Sequence, residues 1–234
     1  MTFFGPAGSE PPPTLRWSLR RVVLAWLFGS AWMYLVTGAA FTRYAEMLGV
    51  SEFGFGILAA IPFLGPMAQL PASFLMERFG HRKGTFLWTC MIHRFLWIVI
   101  AGLPWLVPAS WQWSSLVSLM FVSTILANIA TPAWMSWMAD MVPGRIRGRY
   151  FSRRIQFGQA VGCILSLLAG LTLDWPTVGP YISEFTGLSL SWPVEEQARL
   201  MRNLISGMFA LAGVVGMIDI YLFVKIPDVR SLVR

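Results

Sequence analysis

Residues 55–107 read FGILAAIPFLGPMAQLPASFLMERFGHRKGTFLWTCMIHRFLWIVIAGLPWLV. Two long apolar runs, Phe55–Leu75 and Thr85–Val107, flank a short charged turn that holds Glu77, Arg78, Arg82 and Lys83. A helix that crosses a bilayer needs about 20 mostly apolar residues, and both runs are near that length. Lipid offers no partner for backbone polar groups, so a segment buried in it must satisfy them internally, as a helix does. The stretch is therefore predicted to be a membrane-crossing helical hairpin with its turn in water.

The same pattern recurs outward from it, at Val22–Phe41, Trp113–Met138, Phe157–Leu173 and Asn203–Val224. Six runs predict an all-α polytopic membrane protein. The junctions alternate in charge. Arg16, Arg20 and Arg21 precede the first run, and Arg78, Arg82 and Lys83 follow the second. Arg145, Arg147, Arg149, Arg153 and Arg154 follow the fourth, and Lys225, Arg230 and Arg234 follow the sixth. These junctions hold 14 of the 18 Lys and Arg residues, whereas Glu46, Glu52, Asp174, Glu184, Glu195 and Glu196 fall at the others. Positively charged loops stay in the cytoplasm, which predicts both termini inside and an even number of spans.

Composition agrees. The chain is 56% hydrophobic and 12% charged, against about 25% charged in a soluble domain. Its net charge of +7 hugs the ends of the runs, so it is read as orientation and contact with lipid headgroups rather than nucleic-acid binding. Trp105, Trp111 and Trp113 suit an interfacial belt. Cys90 and Cys163 sit in different runs without metal-ligand spacing and are read as small core residues. No cofactor or metal is expected. Neither a Gly-x-Ser-x-Gly elbow nor an HExxH pair occurs, so no catalytic residues and no enzyme activity are expected. Arg20-Arg21 followed by Gly38-Ala39-Ala40 imitates a signal peptide, but the apolar stretch is long and five more follow, so a retained helix is expected.

Three parts are predicted. Residues 1–15, with Pro6, Pro11, Pro12 and Pro13, form an extended cytoplasmic lead. Residues 16–226 form one six-helix domain, and 227–234 begin a cytoplasmic tail. Pro62, Pro66 and Pro71 with Gly65 predict a bend or local unwinding in the second helix. Pro176, Gly179 and Pro180 predict broken helix in the outer segment 174–202, and Pro193 before Glu195 and Glu196 predicts a helix start near Val194. Gly158, Gly162, Ser166 and Gly170 predict one continuous small-residue packing stripe.

The charged turns also carry a resemblance. The segment from Ser73 to Lys83 resembles the loop signature G-x-L-x-D-R-x-G-R-R of the major facilitator superfamily. Glu77 stands for the acid, Arg78 for the first Arg, Gly80 for the Gly and Arg82 for the last Arg, while Ser73 and His81 depart from it. Asp140 to Arg149 is similar to the acidic-x-x-Pro-x-x-x-Arg-Gly turn between that family's fourth and fifth helices, with Arg147 at the Arg. The resemblance covers about residues 16–226. It implies one six-helix half bundle, itself a 3+3 helical repeat, and an inner latch formed by Glu77, Arg78, Gly80, Arg82, Asp140 and Arg147. It also implies that helices one, two, four and five face a cavity. That directs attention to Tyr34, Thr37, Gln69, Asn128, Trp134, Gln156 and Gln159 as cavity residues, each of which serves equally as a tie between helices. The family carries two such halves, and helix five here lacks the Gly-Pro element of its drug antiporters.

Arg94 lies deep in the third run. A central Arg costs about 2.5–3.5 kcal/mol on insertion scales. Three readings remain open for it: a structural pair with Asp219, contact with substrate, and snorkelling. The functional expectation is a half-transporter that moves a small solute by alternating access in a bacterial inner membrane. A second six-helix half or a second copy would complete it. The alternative is a non-transporting membrane scaffold or assembly protein on the same half bundle.

Overall fold

The computed structural model describes residues 13–187 and 194–228 of the 234. The lead before Pro13, Pro193, and the tail beyond Asp228 with Arg230 and Arg234 lie outside the described residues. Among the described residues every regular element is helical: α1 (Pro13–Leu35), α2 (Ala39–Met47), α3 (Glu52–Leu64), a 3₁₀ turn (Gly65–Ala68), α4 (Gln69–Phe79), α5 (Arg82–Leu106), α6 (Ala109–Met141), α7 (Gly144–Leu173), α8 (Trp175–Thr186) and α9 (Val194–Val224). Among the described residues five segments are long and apolar enough to cross a membrane, or six where α1 and α2, bent by 47° at the break between them, count as one span. The chain is an integral membrane protein.

Local chemistry sets the boundaries. Ser51 caps α3, its hydroxyl accepting the Gly54 N–H at 3.2 Å, with Glu52 in the first turn. Gly80 closes α4 at φ 70°, a left-handed conformation that lets α5 begin two residues later. The prolines of the second span produce the 3₁₀ turn at Gly65–Ala68 rather than a plain kink.

Several expectations are corrected. Helix is already present at Pro13, inside the predicted lead. The loop expected at 143–154 is helix from Gly144 onward. Basic residues oppose the dipole at a helix N-terminus, but two of its side chains anchor elsewhere. Arg147 Nη2 donates to Ala139 O at 2.7 Å, and Tyr150 OH donates to Leu19 O at 2.9 Å. The outer segment holds α8 despite Pro176 and Pro180, the former sitting in the first turn. Ser166 and Gly170 are exposed, so only the Gly158 and Gly162 part of the stripe packs. Cys90 is buried, but Cys163 is exposed and not a core residue.

The helices pack in a row, α7 on α1, α1 on α9, α9 on α5, α5 on α6, and α6 on the α3–α4 span. Burial is greatest in the middle of the row. The apolar windows of α5 and α9 are each 39% buried, that of α3–α4 is 22%, and that of α7 is 17%. Two apolar cores form along the bundle. One, at the end rich in Arg and Lys, gathers Leu19, Val22, Trp137, Tyr150, Ile220 and Phe223. The other gathers Tyr44, Leu58, Trp97, Ile100, Leu116 and Phe209. Between them the same helices contribute buried polar residues: Ser30, His93, Ser123 and Asp219.

Candidate functional site

At the basic end, Arg82 opens α5 and is only 3% exposed. Its guanidinium pairs with the carboxylate of Asp140 from α6 and lies 3.1 Å from Asp228 Oδ1, just beyond α9. Nη1 also donates to Ser136 Oγ at 3.3 Å. One side chain thus ties α5, α6 and the end of α9. Neighbouring cations serve helix C-termini, whose last carbonyls lack intrahelical donors. Lys83 Nζ donates to Val224 O and Ile226 O at 2.9 and 2.7 Å, and Arg21 Nε donates to Leu222 O at 2.8 Å. Arg147 does the same for α6 through Ala139 O and Val142 O. A cavity of about 130 Å³, lined by Ser73, Met76, Glu77, Arg82, Pro132 and Ser136, opens between α4 and α6 beside this node.

Two latch candidates stand apart from it. Glu77 and Arg78 are exposed and make no hydrogen bond or ion pair among the described residues; Arg78 lies over the Phe79 ring at 5.9 Å. The partner of Asp140 is Arg82. The reason is position: Arg82 follows the Gly80 turn on α5, which packs along α6, whereas Arg78 sits on the exposed last turn of α4.

The polar layer holds the deep charges. Arg94 Nη2 lies 3.2 Å from Asp219 Oδ2, and the guanidinium stacks 3.5 Å from the Trp32 ring centroid. Two glycines make the room: a methyl group at Gly29 would meet Asp219 Oδ2 at 2.6 Å, and one at Gly216 would meet Arg94 Cδ at 2.5 Å. Ser123 Oγ and His93 Nδ1 are 2.7 Å apart, and Trp32 packs edge-on to the His93 ring at 5.1 Å.

The cavity candidates divide. Gln69 Nε2 donates to Asn128 Oδ1 at 2.7 Å, and Asn128 Nδ2 donates to Thr124 O at 2.9 Å, tying the 3₁₀ region to α6. Thr37 bonds back to Met33 O at 2.8 Å. Tyr34 of α1 packs against α7, where a methyl group at Gly162 would meet its ring at 2.2 Å. Gln156 and Gln159 are exposed on α7. Trp134 packs edge-on to Phe151 at 5.9 Å.

One residue read from sequence as a topology signal is half-buried against neighbouring helices. Arg154 is ten residues into α7, about 15 Å along the axis at the usual rise. Its guanidinium lies 3.9 Å from the Trp26 ring centroid on α1 and 4.8 Å from that of Trp134 on α6. The signal that could have found it is the Pro143-Gly144 helix start, which places Arg154 in the third turn. Asp228 carried no comparable signal.

None of the protein-family models, curated proteins or solved structures compared with the chain matches it. Among the described residues no group of three or more His, Cys, Asp and Glu side chains is arranged to hold a metal. The arrangement offers charge pairs, neutral hydrogen-bonding groups and aromatic faces.

Proposed function

We propose that the chain is one half of an alternating-access transporter of the major facilitator type, moving a small solute. A second half or a second copy completes it, in a bacterial inner membrane with both termini cytoplasmic. The observation that carries the reading is the Arg82 node. Its buried guanidinium ties α5, α6 and the end of α9 by charge, beside the apolar core that the same helices share. A charge-paired seam is bistable: closed, it satisfies every partner, and opened, Asp140, whose side chain is 47% exposed, rehydrates at little cost. The sparse cover over α7 and the α3–α4 span supports it further, since these carry Gln156, Gln159 and Gln69.

Proteoliposomes containing the full chain, with both native cysteines replaced by Ser and a cysteine at Gln159, test it. Arg82→Gln should raise labelling of that cysteine by a membrane-impermeant maleimide from the basic side. Labelling unchanged by Arg82→Gln, with no solute exchange, would instead leave a static scaffold.

A further inference from the structure

The geometry points to Arg154 as a binding site for a small solute oxyanion, a carboxylate or phosphate, beside Trp26 of α1 and Trp134 of α6; this deepens the transporter reading and rests on it only for the route. The guanidinium lies between two indoles, 3.9 Å from the Trp26 ring centroid and 4.8 Å from the Trp134 ring centroid. Both distances are within cation–π range. It forms no hydrogen bond or ion pair among the described residues, and its Nε is fully buried without an acceptor. A second donor beside it is equally unserved: Trp26 Nε1 is buried with no partner. Gly158, one turn beyond Arg154, makes this packing possible, because a methyl group there would meet Trp26 Nε1 at 2.2 Å.

The charge balance gives the ligand its sign. Asp219 is within electrostatic reach of Arg154, but Arg94 already holds it at 3.2 Å. Among the described residues the layer therefore carries two guanidinium groups and one carboxylate. An uncompensated cation in a low-dielectric interior is costly, and a quadrupole attraction from two rings offsets that in part only. A guanidinium has five N–H donors in a planar fork that matches the two-oxygen edge of a carboxylate or phosphate. Arg154 is only partly covered, and Nε alone of its guanidinium nitrogens is fully buried, so the Nη edge is open to a ligand.

The test uses the full chain in phosphatidylcholine nanodiscs, reading tryptophan fluorescence against benzoate, inorganic phosphate and, as a neutral control, benzamide. A saturable response to benzoate or phosphate and none to benzamide is expected. Arg154→Gln should weaken it by about tenfold or more, and Arg154→Lys should retain part of it. Should Arg154→Gln fail to accumulate, the wild-type response decides: it must weaken as potassium chloride rises, as an ion-pair response does. No response to either anion, equal response to benzamide, an Arg154→Gln protein that binds like wild type, or insensitivity to salt overturns the site. An Arg154-dependent change that appears only in phosphatidylglycerol nanodiscs assigns the cation to a lipid headgroup and also overturns it. The transporter reading fails separately: anion binding without any exchange leaves the site standing, and exchange that survives Arg154→Gln leaves the transporter standing.

Discussion

At the residue scale, the deep charges are governed by what their removal leaves behind. Arg94 and Asp219 have side chains 11% and 7% exposed and share one contact with Trp32 stacked beneath. Such a pair stabilises little against an apolar substitute, but breaking it strands a charge, at about 3–5 kcal/mol. Arg94→Leu should therefore lower accumulation in the membrane and the midpoint of thermal unfolding, and Arg94→Leu with Asp219→Leu should recover part of both. A double variant as unstable as the sum of the singles would mean that the two residues act separately. The sequence shows a deep Arg and a deep Asp; that they pair follows from α5 and α9 lying side by side, with Gly29 and Gly216 leaving space for both side chains.

At the element scale, α7 is held on α1 by two close approaches. Methyl groups at Gly158 and Gly162 would sit 2.2 Å from Trp26 and Tyr34, whereas Gly170 has nothing within 4 Å. Gly158→Ala and Gly162→Ala should each destabilise by about 1–3 kcal/mol through overpacking. Gly170→Ala should be neutral or stabilising by up to about 1 kcal/mol, since alanine favours helix. Unfolding of the three variants by heat, followed by circular dichroism, checks the sign at each position. The four-residue spacing of small residues was visible in sequence. Which end of the stripe meets a neighbour was not, because α7 carries small residues past the region where α1 covers it. The same limit applies to α8, where composition marks Pro176 and Pro180 as breakers but cannot tell a first-turn proline from an interior one.

At the scale of the whole molecule, the basic end is stitched by side chains that also end helices. Arg82 is the common member, with Asp140 and Asp228 as partners from different segments. A double-mutant cycle on Arg82→Gln and Asp140→Asn should show coupling of about 1 kcal/mol, modest because Asp140 is half-exposed. The cycle on Arg78→Gln and Asp140→Asn should be additive, and coupling there would mean that α4 closes on α6 in another state. Orientation is checked independently. In intact cells, a cysteine introduced at Gly144 should resist a membrane-impermeant maleimide until the membrane is permeabilised. Ready labelling from outside would invert the bundle and with it the transporter reading.

What the sequence by itself determined about this protein is set by one-dimensional quantities. Run length against bilayer thickness yields the membrane spans, and the sorting of Lys and Arg by junction yields a definite orientation to test. Proline and glycine placement yields the broken second span and a helix that is present from Val194 onward. The tertiary structure decided the partners. A charge near a helix end reads alike whether it meets water, a carbonyl or a carboxylate, so Arg78, Arg82 and Lys83 are equivalent in sequence and differ completely in surroundings. Arg154 is the sharpest case: five basic residues in ten signal a cytoplasmic turn, yet helical periodicity carries this one onto the face that meets Trp26 and Trp134. Whether a cation is a topology signal or a binding group depends on what the neighbouring helices bring to it, and that is a property of packing in three dimensions.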